Sequence, residues 1–300
     1  MAKRAEADIE AKSPRETSVL FGHAAAETTL LEAYRSGRIP HAWLIGGPPG
    51  VGKATLAYRM ARFVLEHPEP AATVVQGAPT LAVDETGATA AGGGWRVCLV
   101  DTVDELNANS ANALLKVLEE PPPRSLFLLL SNAPARVLAT IQSRCRKLVL
   151  RPLATADVLQ ALAAATGTSV SDRSLKQAAD ASEGSVGRAL MLRGAGAIGL
   201  RERTAQLLET LPNVDPKALH ALGDALAGQD RATLAAFVDA VERWLIERLG
   251  NGSNANLASL ARISEVWEKV SRNARDTQEY NLERKPLVFS VFGMLAEAMR

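Results

Sequence analysis

Cysteine occurs only twice in the 300 residues, at Cys98 and Cys145. Two isolated thiols cannot form a structural zinc site, which takes four ligands in paired spacing. A chain of this length needs neither disulfides nor metals to bury its cores. Both cysteines stand in apolar or strand-like context, so the expectation is two reduced, buried thiols in a cytosolic protein. Aromatic residues are also scarce, at 4% against 47% hydrophobic residues overall. That balance favours cores of aliphatic helices over β-sandwich layers. Charge of one sign is lacking too, with a formal net charge of +1. A protein whose main task is gripping nucleic acid alone is usually more basic, so any such contact is local or shared with partners. No run of about 18 apolar residues appears, and no transmembrane helix is expected. Met1 to Arg15 is charged without an apolar stretch, so no signal peptide is read there. The four histidines, His23, His41, His67 and His220, show no ligand spacing.

Strand-like and helix-like segments alternate over the first half. A helix is expected from Ala24 to Ser36, with Leu30, Leu31 and Tyr34 on one face and Gly37 ending it. Trp43 to Ile45 reads as a buried strand, followed by a loop, Gly46 to Gly52, and a helix from Lys53 to about Glu66 that Pro68 and Pro70 stop. Pro70 to Gly94 is rich in Gly, Ala, Thr and Pro and reads as a loop, with at most a weak strand. Arg96 to Val100 is expected as a second buried strand. Asn109 or Ser110 is expected to cap a helix running to Glu120, which three prolines end. Leu126 to Leu130 is apolar throughout, as a central parallel strand is. A short helix near Ala135 to Ile141 leads to a fourth strand, Lys147 to Leu150. Strands apolar on both faces, alternating with helices, argue for an α/β parallel sheet covered on both sides.

After Pro152 helical periodicity takes over. Three short helices fit between Thr155 and Leu192, Gly194 and Gly196 suit a hinge, and four or five longer helices fit beyond Leu200. The expected division is a disordered tail over 1–17, an α/β domain over 18–153, a small helical lid over 154–195 and an all-α domain over 196–300.

The strongest short motif is Gly47-Pro-Pro-Gly50-Val-Gly52-Lys53, between an expected strand and an expected helix. Glycines let the backbone curl so that its N–H groups face phosphate, and the helix N-terminus adds partial positive charge. Lys53 is placed to reach the outer phosphates. The pattern then asks for Ser or Thr to hold Mg²⁺, and residue 54 is Ala54. Thr55 comes one step later, but a helix turns about 100° per residue, which points its hydroxyl elsewhere. Val97-Cys-Leu-Val100-Asp101 is an apolar strand ending in the acid that can hold Mg²⁺ through water, although Asp101 could equally be a strand-end cap. A glutamate to polarise the attacking water belongs immediately after it, and that place holds Thr102, with Asp104 and Glu105 further on. Two independent departures make Gly47, Gly50, Gly52, Lys53, Thr55 and Asp101 a vestigial or weak nucleotide site. No cofactor is required on this reading; ATP with Mg²⁺ is possible but doubtful in the pocket.

Ala111-Asn-Ala-Leu-Leu-Lys-Val-Leu-Glu-Glu-Pro-Pro-Pro123, then Ser143-Arg144-Cys145, resemble motifs of the clamp-loader ATPases. The order phosphate loop, acidic strand end, this helix, apolar strand, Ser-Arg-Cys covers most of the first 150 residues. With Pro40-His-Ala-Trp43 it is similar to the delta-prime branch of that family in bacterial DNA polymerase III. The likeness is specific in the first domain; over the last hundred residues only helical character agrees. The resemblance implies an AAA+ domain, a helical lid and an all-α oligomerisation collar. It implies that Arg144 projects into a neighbour's ATP site as an arginine finger, a device worth roughly 10³–10⁵ in rate elsewhere. It also implies other clamp-loader subunits, of motor and delta type, as partners in a hetero-oligomer. The sliding clamp and primed DNA would be met through the complex, in the cytoplasm and away from membranes. Ser131 and Asn132 stand where relatives sense the γ-phosphate. In Gly184-Ser-Val-Gly187-Arg188 the lid arginine of active relatives aligns with Gly187, and Arg188 is one step late. The segment from Pro70 to Gly94 is shorter than the family's insert, so the sheet is expected to be one strand short. The competing reading of the same motifs is an ATP-hydrolysing motor subunit, in which Thr55 or a water replaces the missing metal ligand and Asp104 or Glu105 the missing glutamate. Arg272, Arg275, Arg284 and Lys285, mixed with Asp276, Glu279 and Glu283, read as a solvated helical face. Trp244 and Trp267 read as packing residues.

Overall fold

A computed structural model describes residues 13–82, 94–193, 196–227, 231–250, 257–280 and 282–299. Most of the expected tail, residues 83–93 of the Pro70–Gly94 segment, and Gly194 of the expected hinge lie outside them. The chain divides into two compact units, Met1–Leu190 and Met191–Arg300. The lid helices, up to Leu190, fall within the first unit.

The first unit is built on a parallel sheet of four strands among the described residues: β1 (Ala42–Gly46), β2 (Arg96–Val100), β3 (Ser125–Ser131) and β4 (Arg146–Val149). Their spatial order is β2-β3-β1-β4. Ala42 lies opposite Phe127 and Trp43 opposite Leu128, so the two central strands present matching faces. Alternate side chains then go to opposite cores. Trp43, Ile45, Leu126, Leu128 and Leu130 pack with α1 (Ala24–Arg35) and α2 (Lys53–Glu66). Ala42, Leu44, Phe127 and Leu129 pack with α4 (Ala108–Glu119) and α5 (Ala139–Gln142). Continuous apolar runs are what a strand covered on both faces needs, and every residue of β1 and β3 is buried.

The outer strand β2 differs from expectation. Arg96 and Cys98 are exposed, and Val97, Leu99 and Val100 are half-buried. An edge strand has a neighbour on one side only, so its apolar composition overstated its burial. Cys98 is therefore an exposed thiol, and only Cys145, half-buried, fits the expected environment. Between α2 and β2 the described part of the expected loop contains a single short helix, α3 (Thr73–Gly77).

Helix α4 begins earlier than expected. Its cap is Asn107, whose side chain accepts a hydrogen bond from the Ser110 N–H, so Asn109 and Ser110 lie inside the first turn. The expected helix near Ala135 is two pieces, a single 3₁₀ turn at Pro134–Arg136 and α5. An ion pair joins Arg59 of α2 to Glu27 of α1, almost fully buried. The Glu27 carboxylate also accepts the Leu81 N–H at 3.0 Å.

Three helices complete the first unit: α6 (Thr155–Thr166), α7 (Arg173–Ala181) and the start of α8 (Val186–Leu192). The second unit is helical: α9 (Ala197–Glu209), α10 (Pro216–Leu226), α11 (Arg231–Gly250), α12 (Leu257–Glu279) and α13 (Arg284–Ala298). Helix α9 packs on α11, and α13 packs on α10 and α12. The core includes Leu200, Leu208, Phe237, Val241, Leu245, Val288 and Phe292. Trp244 is buried and Trp267 half-buried, the packing roles expected of them. Of the mixed-charge residues, Arg272 and Arg275 are exposed, while Lys285 pairs with Asp224 across two helices.

Candidate functional site, a phosphate loop and a surface arginine

The loop Gly47–Gly52 joins β1 to α2, with Gly52 in the left-handed region at φ 107° as the helix cap. Lys53 opens the helix and is only 7% exposed. Its ammonium donates to Gly47 O, Pro48 O and Asn132 Oδ1, each at 2.7 Å. An ammonium has three donors, and all three are spent inside the protein. Loss of hydration lowers the Lys53 pKa from 10.5 to about 8, against the opposing pull of Asp101 and Asp104. Asn132, just after β3, thus meets the loop lysine. Its own N–H donates to Asp104 Oδ1 at 3.1 Å.

The carbonyl side of the loop is bonded to the lid segment. Ser185 Oγ donates to Pro49 O at 2.9 Å, and the Gly187 N–H donates to Gly50 O at 3.1 Å. The two backbones touch: a Cβ built on Gly187 would lie 2.9 Å from the Gly50 Cα. A Cβ on Gly50, itself at φ 73°, would lie 2.4 Å from Ser185 Oγ. Any side chain at residue 187, an arginine included, collides with the loop in this arrangement. Arg188, next in line, instead pairs with Glu183 at 3.2 Å. From the other side, His23 is buried with Nε2 2.7 Å from Val51 O.

These parts enclose a pocket of about 420 Å³ lined by Leu20, Phe21, Lys53, Asp101, Ala161 and Leu190, among others. Thr55 is half-buried on its wall, and Ala54 offers a methyl group where a metal would need an oxygen. Asp101 is exposed and its carboxylate accepts the Thr102 N–H at 3.0 Å, with Thr102 strained into the left-handed region at φ 46°. Asp101 alone of the expected metal set is present. The residues therefore do not fit a magnesium-bound triphosphate as hydrolysing P-loop proteins hold it. Among the described residues no cluster of three or more His, Cys, Asp or Glu side chains could hold a metal.

Arg144 is not part of this pocket. It sits in the turn after α5, with its side chain 35% exposed and paired at 2.6 Å with Glu119 of α4. Backbone bonds from Arg144 to Ile141 O and from Cys145 to Gln142 O hold the turn. Cys145 anchors it from below, packed with the cluster of Ile141, Leu118 and Phe127. Burial pushes its thiol up to about 11, so it stays protonated and inert. Leu118 is buried, whereas Leu114 and Leu115 are half-buried, leaving much of α4 exposed.

Sequence reasoning missed the contacts of Ser185 and His23. His23 lies in no motif, and the lid motif that contains Ser185 does not say what its hydroxyl touches; the Ser185–Pro49 bond joins residues 136 positions apart.

The loop between a parallel strand and a helix, the acidic strand end and the helices that follow the sheet make up an α/β fold with a phosphate-loop geometry. Residues 80–154 match the family described as DNA polymerase III, delta subunit. The chain is 34% identical to DNA polymerase III subunit delta' of Escherichia coli (strain K12) over 153 residues, 41% of this chain and 46% of that protein. It is 32% identical to subunit delta' of Pseudomonas aeruginosa over 199 residues, 56% and 60% of the two chains. It is 29% identical to subunit tau of Escherichia coli (strain K12) over 280 residues, 79% and 43%. The matches span from 43% to 60% of these relatives' own lengths. They bear out the resemblance to the delta-prime type of clamp-loader subunit. No helix among the described residues is long and apolar enough to cross a membrane.

Proposed function

We propose that this chain acts as a delta-prime-type subunit of a bacterial DNA polymerase III clamp loader, in the cytoplasm, during DNA replication. It serves as a stator: Arg144 completes the ATP site of a neighbouring motor subunit, and the chain needs no nucleotide of its own. Its partners are the motor and delta-type subunits, and through them the sliding clamp and primed DNA. One contrast carries the reading. The chain's own pocket has Ala54 where a metal-holding hydroxyl would stand and has its loop bonded to the lid, while Arg144 stands outside that pocket on an anchored, accessible turn. In the reconstituted complex, Arg144→Ala should assemble normally and sharply lower DNA-stimulated ATP turnover at the site it completes. Unchanged turnover would remove the finger role.

Similarity to subunit tau across 79% of this chain supports a second reading, a motor subunit that hydrolyses ATP itself. Lys53→Ala separates the two. It should abolish turnover by a motor and leave a stator's complex active.

A further inference from the structure

Arg144 is held from two sides. Its Nη1 donates to Thr140 O at 2.9 Å and its Nη2 to Glu119 Oε1 at 2.6 Å. Thr140 belongs to α5, whereas Glu119 is the last residue of α4. Three prolines at 121–123 end that helix and fix where its final carboxylate lies. The two bonds use two of the five guanidinium donors and leave three for an anion. The Glu119 side chain is 50% exposed, and the phosphate loop and its pocket make no use of it.

We propose that Glu119 is the positioning residue for Arg144. Its carboxylate, with the Thr140 carbonyl, holds the guanidinium in one pose, so that the remaining donors meet an anionic group presented by a neighbouring subunit. The anion is a nucleoside triphosphate, and this role rests on the arginine-finger reading of Arg144. A pair so exposed adds little to the stability of the free chain, because water screens it and ordering two long side chains opposes it. Its value lies in assembly. Arginine has a large rotamer entropy, and a finger already ordered loses less of it when it engages phosphate. Once the interface excludes water, the same pair strengthens.

The test uses the full-length chain in the complex reconstituted with the other subunits of its organism. Four chains are compared with wild type: Glu119→Ala, Glu119→Gln, Arg144→Ala and the Glu119→Ala/Arg144→Ala double variant. The readouts are assembly and the kcat and KM of DNA-stimulated ATP hydrolysis. Glu119→Ala should assemble normally and lower kcat by about threefold to thirtyfold, with little change in KM. Glu119→Gln keeps an acceptor oxygen and should recover part of the loss. In the double variant the Glu119 change should add nothing. The positioning role is overturned if Glu119→Ala turns over at or above the wild-type rate while Arg144→Ala is impaired. It is equally overturned if Glu119→Ala acts as strongly without Arg144, or if Glu119→Ala fails to assemble while Glu119→Gln succeeds. Wild-type turnover by Arg144→Ala would instead refute the finger itself, and the positioning role with it.

Discussion

Gly187→Ala tests the seal between lid and phosphate loop. The added methyl carbon would lie 2.9 Å from the Gly50 Cα, closer than carbon atoms pack, and the obstacle is backbone rather than the end of a flexible side chain. Forcing one methyl group into a packed contact costs about 1–3 kcal/mol. Any shift that relieves it lengthens the 3.1 Å bond from the Gly187 N–H to Gly50 O, worth about 1 kcal/mol. Against this, alanine is better than glycine in a helix by up to about 1 kcal/mol, and less here, because residue 187 is the second of α8. The net expectation is a loss of about 1–3 kcal/mol confined to the first unit. For a unit of that size this lowers its transition by about 3–8 °C. Gly199→Ala is the control, since a Cβ there meets nothing within 4 Å and residue 199 is the third of α9. It should stabilise, by less than the roughly 1 kcal/mol that the same change gives in a helix interior. Calorimetry of the full chain measures both, and hydrogen exchange over residues 183–190 reports whether the Gly187 amide loses protection. A Gly187→Ala protein as stable as wild type, with that amide still protected, would refute the close approach.

Other consequences are smaller in scope. Glu27→Ala should cost about 3–5 kcal/mol in urea denaturation, because it strands the buried Arg59 guanidinium and the Leu81 N–H; a loss below about 1 kcal/mol would mean that water replaces the carboxylate. Lys53 binds its proton less tightly folded than unfolded, with a pKa near 8 against 10.5. Between those values the unfolded chain holds more protons, so stability rises with pH through that window. Subtracting the profile of Lys53→Met from that of wild type should isolate the rise, and parallel profiles would show that the lysine is not desolvated.

The central layers of the fold were legible because burial on both faces writes an unbroken apolar run. Leu126–Leu130 and Trp43–Ile45 are such runs, and both are the interior strands β3 and β1. The same rule misplaced Val97–Val100. Composition cannot tell a strand with two neighbours from one at an edge, and the difference exposes Cys98. Helix α2 matched residue for residue, since a glycine cap, an amphipathic pattern and two following prolines all agree. The start of α4 was misread by two to three residues because Asn107, Asn109 and Ser110 are all good caps, and only the bond to the Ser110 N–H selects the first.

The candidate site divides along a different line. Its departures, Ala54, Thr102 and Gly187, are single residues out of step with a local pattern, and a pattern exposes such absences directly. Its compensations are contacts between distant segments, and no local pattern encodes those. Ser185 reaches Pro49, Gly187 reaches Gly50, and Lys53 turns its charge onto Gly47, Pro48 and Asn132. Together they show what the departures permit. An arginine at residue 187 would hold the lid off the loop by its bulk, whereas glycine lets main chain meet main chain. Lys53 has its three donors satisfied by Gly47, Pro48 and Asn132. Ala54 and Gly187 thus coincide with a set of bonds between the loop and the segment after α7. Under the proposed stator reading, those bonds satisfy the first unit's own loop from within, while Arg144 is left to serve another chain's chemistry.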